Sequence, residues 1–307
     1  MARAIQVLAL LLALAWVVAC GAKSGLRVDA SDASVEAAPS DAAPEVADAL
    51  ETTPDVAFDV PPPVCDDSGP PSVYVVTQQS TLQRFDPPTA TFTYVGTLNC
   101  GMLYAPFSMA VARNGIAFVL NQGGYLLQVD TQTAACVPTA FVPNQLGWQR
   151  FGMGFVFDPV GSKDRLFVTE SNYAAPSQGL ATLDLSTLSL DFVAPYTEDI
   201  GHAVELTGTG DGRLFAFGLP TALHPATLAE LDETNGALLS KVAPGLGEPN
   251  SSFAFAWWAG AFYFFVAKDA GEATEVTRYD LATGALSLVA KLDQTVVGAG
   301  VSTCAPH

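Results

Sequence analysis

The sequence predicts an all-β chain folded as a five-bladed β-propeller of four-stranded antiparallel blades. Three observations carry this. First, a strand ending in Asp and running into a turn recurs five times, at Asp86, Asp130, Asp184, Asp232 and Asp280. The spacings are 44, 54, 48 and 48 residues, the length of one propeller blade. Second, five apolar strands show a consistent alternation of large and small side chains, broken at one position. Third, the last of these, Val297–Val301, has no hairpin after it, whereas the first hairpin, starting at Val73, has no such strand before it. Pairing the two closes a ring and leaves no free sheet edge.

Residues 1–20 read as a targeting segment. Arg3 supplies the positive start, and Ile5 to Val18 form an apolar run too short for a comfortable membrane span. The run ends in Val17, Val18, Ala19 and Cys20, which resembles a bacterial lipobox. The resemblance implies that Cys20 is lipidated, with palmitate among its acyl chains, and becomes the new N-terminus. Several acyl chains on one residue give stable anchoring. Gly21 stands where an Asp would signal inner-membrane retention, so the expected address is the outer membrane, facing the periplasm or the cell surface.

Residues 21–64 carry nine carboxylates against Lys23 and Arg27, end in Pro61, Pro62 and Pro63, and hold one aromatic residue, Phe58. Such a stretch buries too little apolar surface to offset its ordering entropy. It is expected to be a self-repelling acidic tether, with a reach of roughly 35–40 Å as a random coil. The whole chain has a net charge of −18, which excludes nucleic acid as a partner because phosphate binding needs clustered Lys and Arg.

The propeller is expected over residues 65–307. Each blade starts with an inner strand: Phe107–Val111, Phe151–Phe155, His202–Leu206, Phe253–Trp257 and Val297–Val301. On one side stand large residues, among them His202. On the other stand Ser108 and Ala110, Gly152 and Gly154, Ala254 and Ala256, Gly298 and Gly300. Inner strands crowd the ring axis, so one side must stay small; Glu205 is the exception. A hairpin follows, with its first strand at Ile116–Leu120, Leu166–Thr169, Leu214–Phe217 and Phe262–Val266, or at Val73–Thr77 for the closing blade. Turn signals precede three of them, at Arg113–Gly115, Lys163 and Asp164, and Gly210–Gly212. The marker Asp then opens a turn by accepting backbone N–H groups, and an outer strand such as Thr91–Val95 or Ala285–Val289 completes the blade.

Four further cysteines in a chain expected to be exported point to disulfides. Cys65 and Cys304 fall at the same closing turn, so they pair and lock the ring. Cys100 and Cys136 remain. Their nominal positions are at opposite ends of neighbouring outer strands, farther apart than a disulfide allows. They either pair by elimination or stay free.

Loops that share one rim of the ring form the expected binding face, with Gln78, Asn121, Trp148, Arg150 and Asn172 as candidate contacts for a protein, peptide or glycan ligand. No metal is expected, because His202, His224 and His307 have no partner at ligand spacing. An enzyme reading rests on carboxylates near the channel. Glu205 is the acid on an inner strand, and Glu170 and Asp199 fall in loops near it; a glycoside hydrolase needs two such groups about 5–9 Å apart. The repeat over residues 70–304 resembles quinoprotein-like and YVTN-type propellers in its architecture. That resemblance raises a quinoprotein-like dehydrogenase as a third reading, but no cofactor-ligating set is visible, so no cofactor is expected. The sequence favours an exported, lipid-anchored binding or scaffold module over a carbohydrate-active hydrolase.

Overall fold

The computed structural model describes residues 65, 71–101, 103–219, 225–246, 252–268 and 271–306. The targeting segment, Cys20, the tether, His224, His307 and most of the expected rim loops at 220–225 and 248–251 lie outside these residues.

Twenty strands form five four-stranded antiparallel sheets. Blade 1 contains β1 (Val73–Thr77), β2 (Thr81–Asp86) and β3 (Thr91–Thr97). Blade 2 contains β4 (Pro106–Val111), β5 (Ile116–Asn121), β6 (Leu126–Asp130) and β7 (Cys136–Pro138). Blade 3 contains β8 (Phe151–Asp158), β9 (Lys163–Glu170), β10 (Leu180–Asp184) and β11 (Ser189–Ala194). Blade 4 contains β12 (His202–Gly208), β13 (Leu214–Leu219), β14 (Thr227–Leu231) and β15 (Leu238–Val242). Blade 5 contains β16 (Ser252–Trp258), β17 (Ala261–Ala267), β18 (Thr274–Asp280) and β19 (Leu286–Leu292). The last strand, β20 (Val296–Gly300), returns to blade 1 and pairs with β1, Tyr74 opposite Gly300 and Val75 opposite Ala299. Closure is therefore as the repeat pattern predicts. Among the described residues the one helical element is a 3-10 turn at Gln145–Gly147.

The marker aspartates are turn formers. Asp130 Oδ1 accepts the N–H groups of Gln132 and Thr133 at 2.8 and 2.9 Å. Asp184 does the same with Ser186 and Thr187, and Asp86, Asp232 and Asp280 each accept one N–H group of their own turn. One turn differs from expectation. The β8–β9 hairpin bends at residues 159–162 rather than at Lys163 and Asp164, because Asp158 Oδ1 captures the N–H groups of Val160 and Gly161.

Five apolar cores lie between successive blades. Met109, Val111 and Val119 of blade 2 pack with Val76 and Leu82 of blade 1. Phe107, Phe118 and Leu120 pack with Phe151, Met153 and Phe155. Phe167 meets Val204 and Leu206, and Phe215 and Phe217 meet Phe253, Phe255 and Phe264. Phe265 and Ala254 then meet Val75, Phe85 and Ala299 across the closure. The small-side glycines of β8 and β20 lie against the backbone of the next inner strand. A Cβ on Gly298 would stand 2.8 Å from Met109 N, and one on Gly300 would stand 2.9 Å from Val111 N. Side chains there would collide with backbone that cannot yield.

The expected Cys65–Cys304 disulfide is formed, and Cys100 pairs with Cys136 and is not free. Cys65–Cys304 and Cys100–Cys136 each have Cα atoms 5.4 Å apart. The geometric objection to the second fails because of sheet twist. Each strand is rotated by roughly 20–25° against its neighbour, so an outer strand lies well across the axial direction and its end reaches the adjacent blade. The end of β3 accordingly packs on the β6–β7 turn, where a Cβ on Gly96 would strike Ala134.

Below the ring axis, three blades are joined by one buried polar group. Arg113 Nε donates to Asp164 Oδ1 at 3.2 Å and to Thr303 Oγ1 at 2.7 Å, and Thr303 Oγ1 donates to Asp164 Oδ1 at 2.7 Å. The guanidinium lies 3.5 Å from the Phe157 ring centroid. The Arg113 and Asp164 side chains are only 12% and 8% exposed, so removing one partner strands a buried charge. Asp164→Ala should destabilise the protein by about 3 kcal/mol in urea unfolding. A loss below about 1 kcal/mol would show that this clamp is dispensable.

Candidate functional site

Three inner strands are bulged at the same end. On β4 the register shifts between Pro106 and Ser108, on β20 between Val296 and Gly298, and on β12 between His202 and Glu205. A bulge inserts an extra residue and re-aims the side chains around it. Phe107 and Val297, the inserted residues of β4 and β20, line an axial cavity of about 140 Å³. Its other walls are Gln78, Gln122, Ser171, Tyr173, Glu205, Ser252, Phe253 and Thr295. Every blade contributes, all from the same rim.

The β12 bulge also corrects one expectation. His202 was placed with the large residues Val204 and Leu206. Its partner is Leu219, while that of Glu205 is Phe217. Cross-strand partners share a face, so His202 stands on the side of Glu205 instead. Ala203, with φ at 45°, absorbs the extra residue.

Glu205 closes the cavity from below. It is 5% exposed. Ser108 Oγ, from blade 2, donates to Glu205 Oε2 at 2.7 Å across the axis. The Met153 N–H of blade 3 also faces the carboxyl, since an inner strand has no sheet partner on its axial edge. Gly152 makes room, because a Cβ there would collide with Val204 and Glu205. Burial pushes the Glu205 carboxyl well above the ordinary carboxylate range, and the hydrogen bonds from Ser108 and Met153 only partly oppose it.

At the rim, Arg150 Nη1 donates to Gln122 Oε1 at 3.2 Å. Its guanidinium lies 5.3 Å from the Phe107 ring and 5.8 Å from the Tyr173 ring. Tyr173 is 46% exposed as a residue, but its hydroxyl end is sunk into the site. Burial is the largest cause raising its pKa; Glu205 raises it further when ionised, and Arg150 opposes. Ser171 is 3% exposed, and its Oγ has no hydrogen-bond partner among the described residues. Its backbone N–H is used, donating to Arg150 O.

The sequence candidates separate clearly. Gln78 lines the cavity and Arg150 stands at its edge. Asn121 does not line it. Its Oδ1 accepts the N–H groups of Gly123 and Tyr125, and it borders a second, more apolar hollow of about 250 Å³ beside Tyr104 and Tyr125. Asn172 likewise holds its own loop, accepting from Ala174 N and donating to Glu170. Trp148, a candidate rim contact by its sequence, is 1% exposed and packs edge-on against Phe192; it fills the core between blades 2 and 3 and offers no contact surface. The three acids do not converge. Glu170 accepts the Gln178 N–H and Asp199 caps the turn at Gly201, and neither lines the cavity. Among the described residues Glu205 is the one carboxyl there, whereas glycoside hydrolysis needs two. Ser108, Ser171 and Tyr173 were not singled out from sequence, because nothing in their local pattern distinguishes them from other strand and loop residues.

The fold and this cavity define a five-bladed β-propeller closed by its C-terminal strand and hollowed at one end of its axis. No family model and no curated protein matches the sequence. Solved structures are similar at low identity. The PQQ-bound aldose sugar dehydrogenase of Streptomyces coelicolor is 10% identical over 75% of this chain and 82% of its own, with a TM-score of 0.39. A protein of unknown function from Bacteroides caccae is 8% identical over 76% of this chain and 99% of its own, with a TM-score of 0.42. Hydrazine synthase of Kuenenia stuttgartiensis is 16% identical over 77% of this chain and 68% of its own, with a TM-score of 0.37. At these scores no residue role is carried across.

Proposed function

We propose that this protein is an exported, lipid-anchored binding module whose site is the axial cavity. In this reading Cys20 carries the acyl chains, residues 21–64 hold the ring away from the outer membrane, and the cavity rim faces a polar ligand. The observation that carries it is the cavity itself. It is open at the rim, closed below by the Ser108–Glu205 contact, and walled by Gln78, Gln122, Ser171 and Thr295 around the apolar Phe107, Phe253 and Val297. A concave hollow with convergent polar groups and a few apolar walls can fix the orientation of a small polar ligand. The two disulfides suit an oxidising compartment.

The test is calorimetric titration of the full-length protein with small polyols, monosaccharides, capped dipeptides and small organic acids. At least one should bind, and Gln78→Trp and Gln122→Trp should each abolish that binding with the melting temperature unchanged. Binding that survives both substitutions would place the site elsewhere, and no binding by any probe would remove the reading. Loss of labelled palmitate incorporation in Cys20→Ser checks the anchor.

A further inference from the structure

We propose that the axial cavity takes a compact carboxylate, held by Arg150 at the rim and by the Ser171 hydroxyl in the wall. This rests on the cavity being the binding site and names its ligand class.

Four observations converge. The first is size. A cavity of about 140 Å³ accepts a molecule of roughly six non-hydrogen atoms, which admits a small hydroxy acid but not a folded peptide. The second is an uncompensated cation. Arg150 has contacts to Gln122, Phe107 and Tyr173, all of them cavity-lining, and no carboxylate pairs with it among the described residues. Its planar fork has further N–H donors, and a guanidinium matches a carboxylate in two parallel bonds. The third is the orphaned donor. Ser171 Oγ is buried without a partner, and buried polar groups are rarely left so unless something external completes them. The fourth concerns the one carboxyl that lines the cavity among the described residues. Glu205 is buried against Ser108, and desolvation raises its pKa, which favours the neutral form over one that would repel an anion. The next acid along, Glu170, spends its carboxylate on Gln178 N and Asn172.

These groups divide the work by depth. Phe107, Phe253 and Val297 cover the carbon skeleton, Gln78 and Gln122 are placed for hydroxyl groups, and Arg150 neutralises the carboxylate where it meets water. A neutral ligand of the same shape would leave the guanidinium unanswered. A cationic one would be placed beside it, at a Coulombic cost.

The test uses full-length protein and matched pairs that differ only at the acid: lactate with lactamide, and glycerate with glyceramide. By titration calorimetry at pH 7, the acid of at least one pair should bind at least tenfold tighter than its amide. Arg150→Gln should erase that preference, Arg150→Lys should keep part of it, and Ser171→Ala should weaken both members of the pair, each variant melting within a few degrees of the wild type. Equal binding of acid and amide overturns the proposal, and so does an acid preference that survives Arg150→Gln. If neutral sugars or polyols bind in the cavity and the acids do not, the ligand class fails while the binding-module reading stands. If no probe of either kind binds, both fail.

Discussion

Replacing Cys304 with Ser should lower stability by about 5 kcal/mol in chemical unfolding under non-reducing conditions. The magnitude comes from chain entropy. Cys65 and Cys304 are 239 residues apart, so their bond removes the loop-closure freedom of nearly the whole ring from the unfolded state. The native side of the comparison changes less. β20 keeps its backbone pairing with β1, its apolar residues keep their core with blade 5, and Thr303 keeps its contact with Arg113. The variant should therefore remain folded, with a lowered midpoint and a denaturant slope no shallower than that of the wild type, because the unfolded chain loses a constraint. A shift worth less than about 1 kcal/mol would mean that the unfolded chain is already held compact, or that strand pairing alone secures the closure.

Glu205→Gln should remove a pH dependence of stability. The Glu205 carboxyl is raised in the folded protein, chiefly by burial, so the folded state holds a proton that the unfolded state releases near the ordinary value of 4.5. Between those two points the folded state binds more protons, and stability must fall as pH rises. The difference accumulates at about 1.4 kcal/mol per pH unit until the folded carboxyl ionises. Glutamine has the same shape and can still meet Ser108, but it does not titrate. Wild type and variant should thus have similar urea midpoints near pH 4.5, and the variant should become progressively more stable than the wild type as pH rises above 5, until the folded carboxyl ionises. All other groups titrate in both proteins, so the difference isolates this one. Parallel midpoints across that range would show that water or another group compensates the Glu205 charge.

The two effects belong to different parts of the design. The disulfide and the Arg113–Asp164–Thr303 cluster secure the end of the axis where the chain closes. Glu205 and Ser108 seal its middle, which leaves the opposite end to the cavity. A propeller can leave that end open because its stability resides between blades, where Phe, Val and Leu side chains fill five separate cores.

The blade count, the closing strand and the ring-locking disulfide were legible in the chain alone. They rest on local, repeated chemistry: an Asp that captures turn N–H groups, period-two alternation in a strand, and small residues wherever two inner strands meet. Gly298 and Gly300 could be read as small because the backbone of Met109 and Val111 leaves no room for anything larger. The single exception, Glu205, was visible as a break in that rule, but its partners were not. Ser108 lies 97 residues away in sequence, and no local pattern encodes a contact across the axis. The bulges at Phe107, Val297 and Ala203 were equally hidden, since one extra residue changes which side a side chain takes without changing the composition of the strand. The same holds for Trp148, which looks like a rim residue in sequence and fills a core in space, and for Cys100 and Cys136, set apart by counting strands and brought together by twist. The repeat determined the ring. Which side chains meet at its axis was decided by the tertiary structure, because register shifts and twist act on direction, and direction is not written in any one stretch of the chain.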